Sequence, residues 1–229
     1  MSTITYSLAT HGSHKLSPHF RVEEFACKDG TDLVIISEEL VDMLEKLRSR
    51  LGCSININSG YRTVAHNRAI GGSLTSKHCY GLAADIICKK DGTTVPAKEV
   101  CCAAQSLGFP GIAYITAGAT HVDVRNGKWW ADESRKDKPV ADFYAYFGIE
   151  NPDKCPYKKP TTTVKRGSRG QGVKWVQWHL IKRGFDCGES GIDGNCGRDT
   201  EAAIIAFQKA NGLVADGICG PATRAALSA

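Results

Sequence analysis

Apolar positions recur along this chain at two periods, and the switches between them divide it into elements. From Ser37 onward, Leu40, Leu44, Leu47 and Leu51 advance in three- and four-residue steps, which predicts an amphipathic helix ended by Gly52. Ser37-Glu38-Glu39 supplies its start signal. The serine oxygen is expected to take a first-turn amide, and the acids lie at the positive end of the helix dipole. Ser54-Ile55-Asn56-Ile57-Asn58 then alternates polar and apolar, the mark of a half-buried strand. A short helix is predicted over residues 63–70, stopped by Gly71-Gly72, and a buried strand over 83–88. Residues 96–107 predict a helix with proline in its first turn and Gly108 after its end. Residues 111–115 and 121–125 read as two strands of a hairpin. Residues 1–37 show neither period and read as a lead-in of short turns. The sum is an α+β domain built on an antiparallel sheet.

The pattern changes after residue 150. Residues 151–163 are rich in Pro, Lys and Thr and almost free of aliphatic side chains, a linker composition. Beyond lies a short internal repeat: Asp193-Gly194-Asn195-Cys196-Gly197 with Thr200 matches Asp216-Gly217-Ile218-Cys219-Gly220 with Thr223. Each copy is a tight turn feeding a helix, and three helices are expected, near 170–184, 199–211 and 221–228. The expected organisation is a domain over 1–150, a linker over 151–163 and a small all-α three-helix domain over 164–229.

Charge sharpens this division. The net charge of +5 sits entirely in the C-terminal part, where residues from Lys158 onward carry eleven Lys/Arg against six Asp/Glu. A basic module suits an anionic polymer, or simple solubility. No apolar run approaches the ~18 residues that a membrane span needs, and no reader motif or basic helix points to nucleic acid. The N-terminal stretch has no basic region followed by an apolar one, so no secretory signal is expected there. Ten cysteines without a C-x-x-C pair argue against a structural zinc ribbon and read as reduced, buried, small apolar groups.

Candidate chemistry lies in Ser59-Gly60-Tyr61-Arg62, His66-Asn67, Gly71-Gly72, Ser76-Lys77-His78, Gly81-Leu82-Ala83-Ala84-Asp85 and His121-Val122-Asp123. Asp85 interrupts an apolar strand, where an acid must be paired, hydrogen-bonded or metal-bound. His121 and Asp123 are two apart on a strand and project from one face. Two histidines and an aspartate from separate segments make an open zinc set, three protein ligands with one position left.

These motifs resemble those of the zinc D-alanyl-D-alanine carboxypeptidases and related peptidoglycan endopeptidases, over about residues 16–130. The resemblance implies an α+β fold like that of the hedgehog signalling domain and one zinc ion on His78, Asp85 and His121. It also implies substrate contact by Arg62. Relatives with Glu-x-x-His carry a general base three residues before the last ligand, where this chain has Gly118. Asp123 is the nearest substitute, either as base or as a group holding a ligand or Arg62. Tyr61, Asn67 and Ser76 are candidate substrate-binding side chains.

The C-terminal module resembles the peptidoglycan-binding domain type 1, through Gly172-Val173, Val176-Gln177, Asp193-Gly194, Phe207-Gln208, Asp216-Gly217 and their neighbours. Val173, Val176 and Leu180 form the inward stripe of its first helix. Trp175 and Trp178 fall opposite, where they are expected either to stack on wall sugars or to pack against the first domain. The resemblance implies a monomeric wall hydrolase of D-Ala-D-Ala carboxypeptidase type, with bacterial peptidoglycan as partner and no nucleic acid or membrane insertion. Cleavage at an L-Ala-D-amino-acid or cross-link bond, and wall binding without catalysis, are the alternatives. Synthesis in the cytoplasm followed by phage-type release to the wall is the expected route, as for an endolysin.

Overall fold

The leucine stripe folds as the helix Glu38–Leu51, with Leu40, Leu44 and Leu47 fully buried and the chain turning out through a left-handed Gly52 (φ 58°). The computed structural model describes residues 2–229. Ser37 departs from expectation: it makes no capping bond, and its Oγ is buried without a partner. The residue belongs to a strand, Leu33–Ser37, which holds it extended. That strand also corrects the reading of residues 1–37 as a lead-in. Thr3–Ser7 pairs with it antiparallel, and Phe20, Val22 and Phe25 between them enter the main core.

The chain divides into two units, the first reaching Asn151 and the second running Pro152–Ala229. The first carries a seven-stranded sheet among the described residues. Ser54–Ser59, Ala83–Lys90, Ala119–Asp123, Gly111–Thr116, Trp129–Asp132 and Lys138–Pro139 lie side by side in that order, with Thr93–Thr94 added to Ala83–Lys90. All pairs are antiparallel except Gly111–Thr116 with Trp129–Asp132, which run parallel.

Register explains how this sheet can hold both a core and a site. Ala84, Val122 and Ile112 stand opposite one another in one row, and all are buried in the core with Val100, Cys101 and Ala104 of the helix Ala97–Ser106. The adjacent row is Asp85, His121, Ala113 and Ala131. Side chains alternate along a strand, so this second row points to the opposite face. Aliphatic residues at alternate positions anchor the sheet, and the polar ones between them are thereby displayed together.

In the second unit the helices are Gln171–Lys182, Arg198–Ala210 and Pro221–Ser228. The internal repeat is built around two buried glutamines. Gln177 Nε2 donates to Asp193 Oδ1 (2.7 Å) and Thr200 Oγ1 (3.1 Å), while Gly194 N–H donates to Gln177 Oε1 (2.8 Å). Gln208 repeats the set on Asp216 (2.9 Å), Thr223 (3.1 Å) and Gly217 N–H (3.0 Å). Each glutamine thus staples a turn to the start of the next helix. Removing either leaves several buried polar groups unpaired, so Gln177→Ala and Gln208→Ala are each expected to destabilise this unit by about 3 kcal/mol. Chemical denaturation of the full chain, followed by tryptophan fluorescence, checks this.

The Pro/Lys/Thr-rich stretch expected to be a linker belongs from Pro152 onward to the second unit. Cys155 and Tyr157 pack on its core, and the Lys159 ammonium lies 5.6 Å from the Trp175 ring centroid. Trp175, expected on the side opposite the inward stripe, instead lies in this unit's own core, with its ring 5% exposed. Trp178 is half-exposed, with Lys182 over its ring.

Candidate metal centre and cleft

Three side chains from three segments meet at one point of the first unit. Asp85 and His121 are directly cross-strand, and His78 arrives on the turn Lys77–Tyr80. His121 Nδ1 lies 2.9 Å from Asp85 Oδ1, and His78 Nε2 lies 3.2 Å from both Asp85 Oδ1 and His121 Nδ1. Among the described residues this is the cluster whose donor atoms could hold a metal ion.

The outer hydrogen bonds fix which nitrogen carries a lone pair. His78 Nδ1 donates to Gly60 O (2.7 Å), so its Nε2 faces inward unprotonated in the neutral ring. His121 Nε2 faces Asp123 Oδ2 (3.1 Å), which places its inward lone pair on Nδ1. With both rings neutral, two imidazole lone pairs and a carboxylate oxygen therefore face one another. That is the donor chemistry of a zinc site, and the spacing suits zinc bonds of about 2.0–2.1 Å in a tetrahedral set.

The motif Ser59-Gly60-Tyr61-Arg62 has a role at each step. Ser59 Oγ accepts from Arg62 Nε (2.8 Å), and Gly60 O orients His78. Arg62 N–H bonds His78 O (3.2 Å), and its Nη2 reaches Asp85 Oδ2 (2.5 Å). A side chain at Gly60 would begin 2.6 Å from the Phe25 backbone, which explains glycine there.

Asp123 is fully buried. Arg125 donates to it through its backbone N–H (3.0 Å) and through Nε and Nη2 of its guanidinium, and His121 takes the remaining direction. These contacts hold its carboxyl down at about 2, against the opposing effect of burial. Of the groups named in its two expected roles, Asp123 touches the candidate ligand His121 and does not touch Arg62. A carboxylate with every face occupied and no exposure has no room to take a proton from a reacting water. Arg125 also stacks on Trp129, 4.4 Å from the ring centroid.

The site opens into a cleft of about 480 Å³. Of the residues expected to contact substrate, Arg62 and Ser76 line it, and Tyr61 and Asn67 do not. Tyr61 packs against the core, and Asn67 is buried beneath the Gly71-Gly72 turn, donating to Ser73 O (2.9 Å). Arg125, Trp129 and Glu133 are among the lining residues to which the sequence reading gave no role.

In the zinc-free protein these contacts tie stability to pH. Burial opposes a charge on His121, yet its hydrogen bonds to Asp123 and Asp85 outweigh that and raise it to about 9. The stabilisation is complete below the ordinary histidine value of ~6.5 and is lost as pH rises through the raised one, by on the order of 3 kcal/mol. Burial lowers His78, which works in the other direction and weakens the fold below ~6.5. Thermal melts across pH are expected to peak near the ordinary histidine value without zinc. Zinc replaces the His121 proton, so loading should remove the alkaline decline.

Comparison with known proteins agrees with this arrangement. Residues 18–123 match the family described as Peptidase M15, and residues 169–227 match a peptidoglycan binding domain. The zinc D-Ala-D-Ala carboxypeptidase of Streptomyces albus G is 43% identical over 61 residues, 27% of this chain and 24% of that protein. The N-acetylmuramoyl-L-alanine amidase CwlL of Bacillus licheniformis is 43% identical over 72 residues, 31% of this chain and 20% of that protein. Among solved structures, the Burkholderia AP3 phage endolysin is 44% identical, covering 30% of this chain and 25% of that one with a TM-score of 0.28. The chain thus spans no more than about a quarter of the length of these relatives. The His-Asp-His centre lies within the span that matches peptidase M15, and the glutamine-stapled helical repeat within the span that matches a peptidoglycan binding domain.

Proposed function

We propose that the protein is a zinc-dependent peptidase acting on the stem peptides of bacterial peptidoglycan, of D-Ala-D-Ala carboxypeptidase type, with the second unit binding the wall. The observation that carries this reading is the convergence of His78 Nε2, Asp85 Oδ1 and His121 Nδ1 at the base of an open cleft. Bound zinc supplies a Lewis acid for the scissile carbonyl and lowers the pKa of water to about 7.

The chain's own residues supply binding and orientation. Arg62, Lys77 and Arg125 bring positive charge to the cleft wall, which suits a peptide ending in a carboxylate. Arg62 is fixed in plane by Ser59 and Asp85, and Arg125 by Asp123 and Trp129, so neither guanidinium must be ordered when substrate arrives. Trp129 stands edge-on to His121 at 5.8 Å and forms part of the cleft wall.

The test is digestion of purified peptidoglycan by the zinc-loaded protein, with mass analysis of the products and a His78→Ala control. Loss of a terminal D-Ala supports the carboxypeptidase. Internally cut or released stem peptides would move the assignment to an endopeptidase. Tight wall binding with no zinc-dependent product from several wall types would overturn the enzyme reading.

A further inference from the structure

We propose that Glu133 is the proton acceptor of this site, the residue that takes a proton from the attacking water and delivers it to the leaving amine. The inference rests on the zinc-peptidase reading above and assigns a role that Asp123, walled in by Arg125 and His121, has no free face to fill.

Three observations place Glu133. It follows directly on the strand Trp129–Asp132, whose Ala131 lies in the same transverse row as Asp85, His121 and Ala113. By strand alternation Trp129 and Ala131 share the metal-facing side, and Glu133 continues that parity into the turn Glu133–Arg135. Trp129 and Glu133 indeed both line the cleft, while Trp130 and Asp132 turn away, the first donating from Nε1 to Phe109 O (3.0 Å) and the second accepting from Tyr146 (2.7 Å).

The second observation is that Glu133 is uncommitted. Among the described residues the cleft has three carboxylates, on Asp85, Glu133 and Asp137. Asp85 is occupied on both oxygens, by the two histidines and by Arg62. Among the described residues the Glu133 carboxylate makes no hydrogen bond or ion pair, although it is half-buried, whereas Asp137 is exposed. Third, burial raises the Glu133 carboxyl above its ordinary value, with the charges of His121 and Asp85 both acting on it. A carboxylate left without a partner on the wall of the cleft that holds His78, Asp85 and His121 is suited to take and return a proton.

The step balances as follows. A water O–H bond breaks, its proton goes to the Glu133 carboxylate, and the oxygen forms a bond to the scissile carbonyl carbon. The C–N bond then breaks with its electron pair on nitrogen, which takes the proton from Glu133. The products are a carboxylic acid and an amine.

The test compares wild type, Glu133→Gln, Glu133→Ala and Asp137→Asn as zinc-loaded chains carrying both units. It measures kcat and KM on wall peptides, zinc stoichiometry and affinity, and rescue of the alanine variant by formate. Glu133→Gln is expected to lower kcat by about 10²–10⁴-fold with KM and zinc affinity within about twofold of wild type. Formate should restore part of the rate of Glu133→Ala, which a purely structural role would not allow. Retention of most of kcat in Glu133→Gln overturns the proposal, as does zinc loss matching the loss of rate. A loss confined to Asp137→Asn would give the role to Asp137 and overturn it equally. If Glu133→Gln fails to fold, the formate response of the alanine variant decides. A wild type without zinc-dependent cleavage fails the parent reading, a result distinct from an active wild type matched by its Glu133 variants.

Discussion

Asp85→Asn is expected to empty the metal centre and reduce peptide cleavage by about 10³-fold or more, several kcal/mol of transition-state stabilisation at 1.36 kcal/mol per decade. The substitution keeps the size of the side chain and removes its charge. Asp85 is the anionic member of the three-donor set, and it serves two masters: Oδ1 faces His78 and His121, and Oδ2 holds Arg62. These partners hold its carboxyl far below the usual range despite opposition from burial. With asparagine, two imidazoles must bind a dication without a counter-charge, and the 15%-exposed Arg62 side chain loses its partner. Zinc content by mass spectrometry and product release from peptidoglycan, measured on the same sample, check the result. Full zinc occupancy in Asp85→Asn would refute the assignment of the centre.

The second large effect is expected from a residue that carries no chemistry. Gly111 lies opposite Asp123 in the sheet, and a Cβ added there would sit 2.1 Å from the Asp123 carboxylate. Gly111→Ala therefore forces the buried acid to move. Overpacking alone should destabilise the fold by about 3 kcal/mol. Moving Asp123 also releases the Nε2 side of His121, and loss of such an outer contact lowers metal affinity by about 10–100-fold. Urea denaturation and zinc titration are expected to change together. A destabilised protein with unaltered zinc affinity would show that Asp123 does not set the His121 ring.

These two sites mark how far the sequence could be read. Asp85 was legible because an acid in an apolar strand is conspicuous, and His121 with Asp123 because their spacing matches a strand's period. The leucine stripe likewise located its helix. Gly111 was read only as the start of a strand, since what a Cβ would strike depends on the neighbouring strand's register. Thr3–Ser7 and Leu33–Ser37 were missed because each is short and its partner is distant in sequence. Trp175 stayed ambiguous because its cover is the chain around Cys155–Lys159, which carries linker composition yet folds onto the helices. Glu133 lies in a run, Asp132-Glu133-Ser134-Arg135-Lys136-Asp137, that reads as a solvated charged surface. Only the parallel pairing of Trp129–Asp132 with Gly111–Thr116 returns it to the cleft.

The shared row of Asp85, His121, Ala113 and Ala131 has a consequence for how such a domain tolerates change in length. The Ala117-Gly118 connection joins two strands at their ends, so lengthening it leaves both registers intact. One residue inserted within Ala119–Asp123 is different in kind. It would turn every later side chain of that strand over, sending Val122 toward the cleft and Asp123 into the aliphatic core. Gains and losses of residues should therefore accumulate at the hairpin tip and be purged from the strand beside it, a boundary only two residues wide from Ala119 to His121.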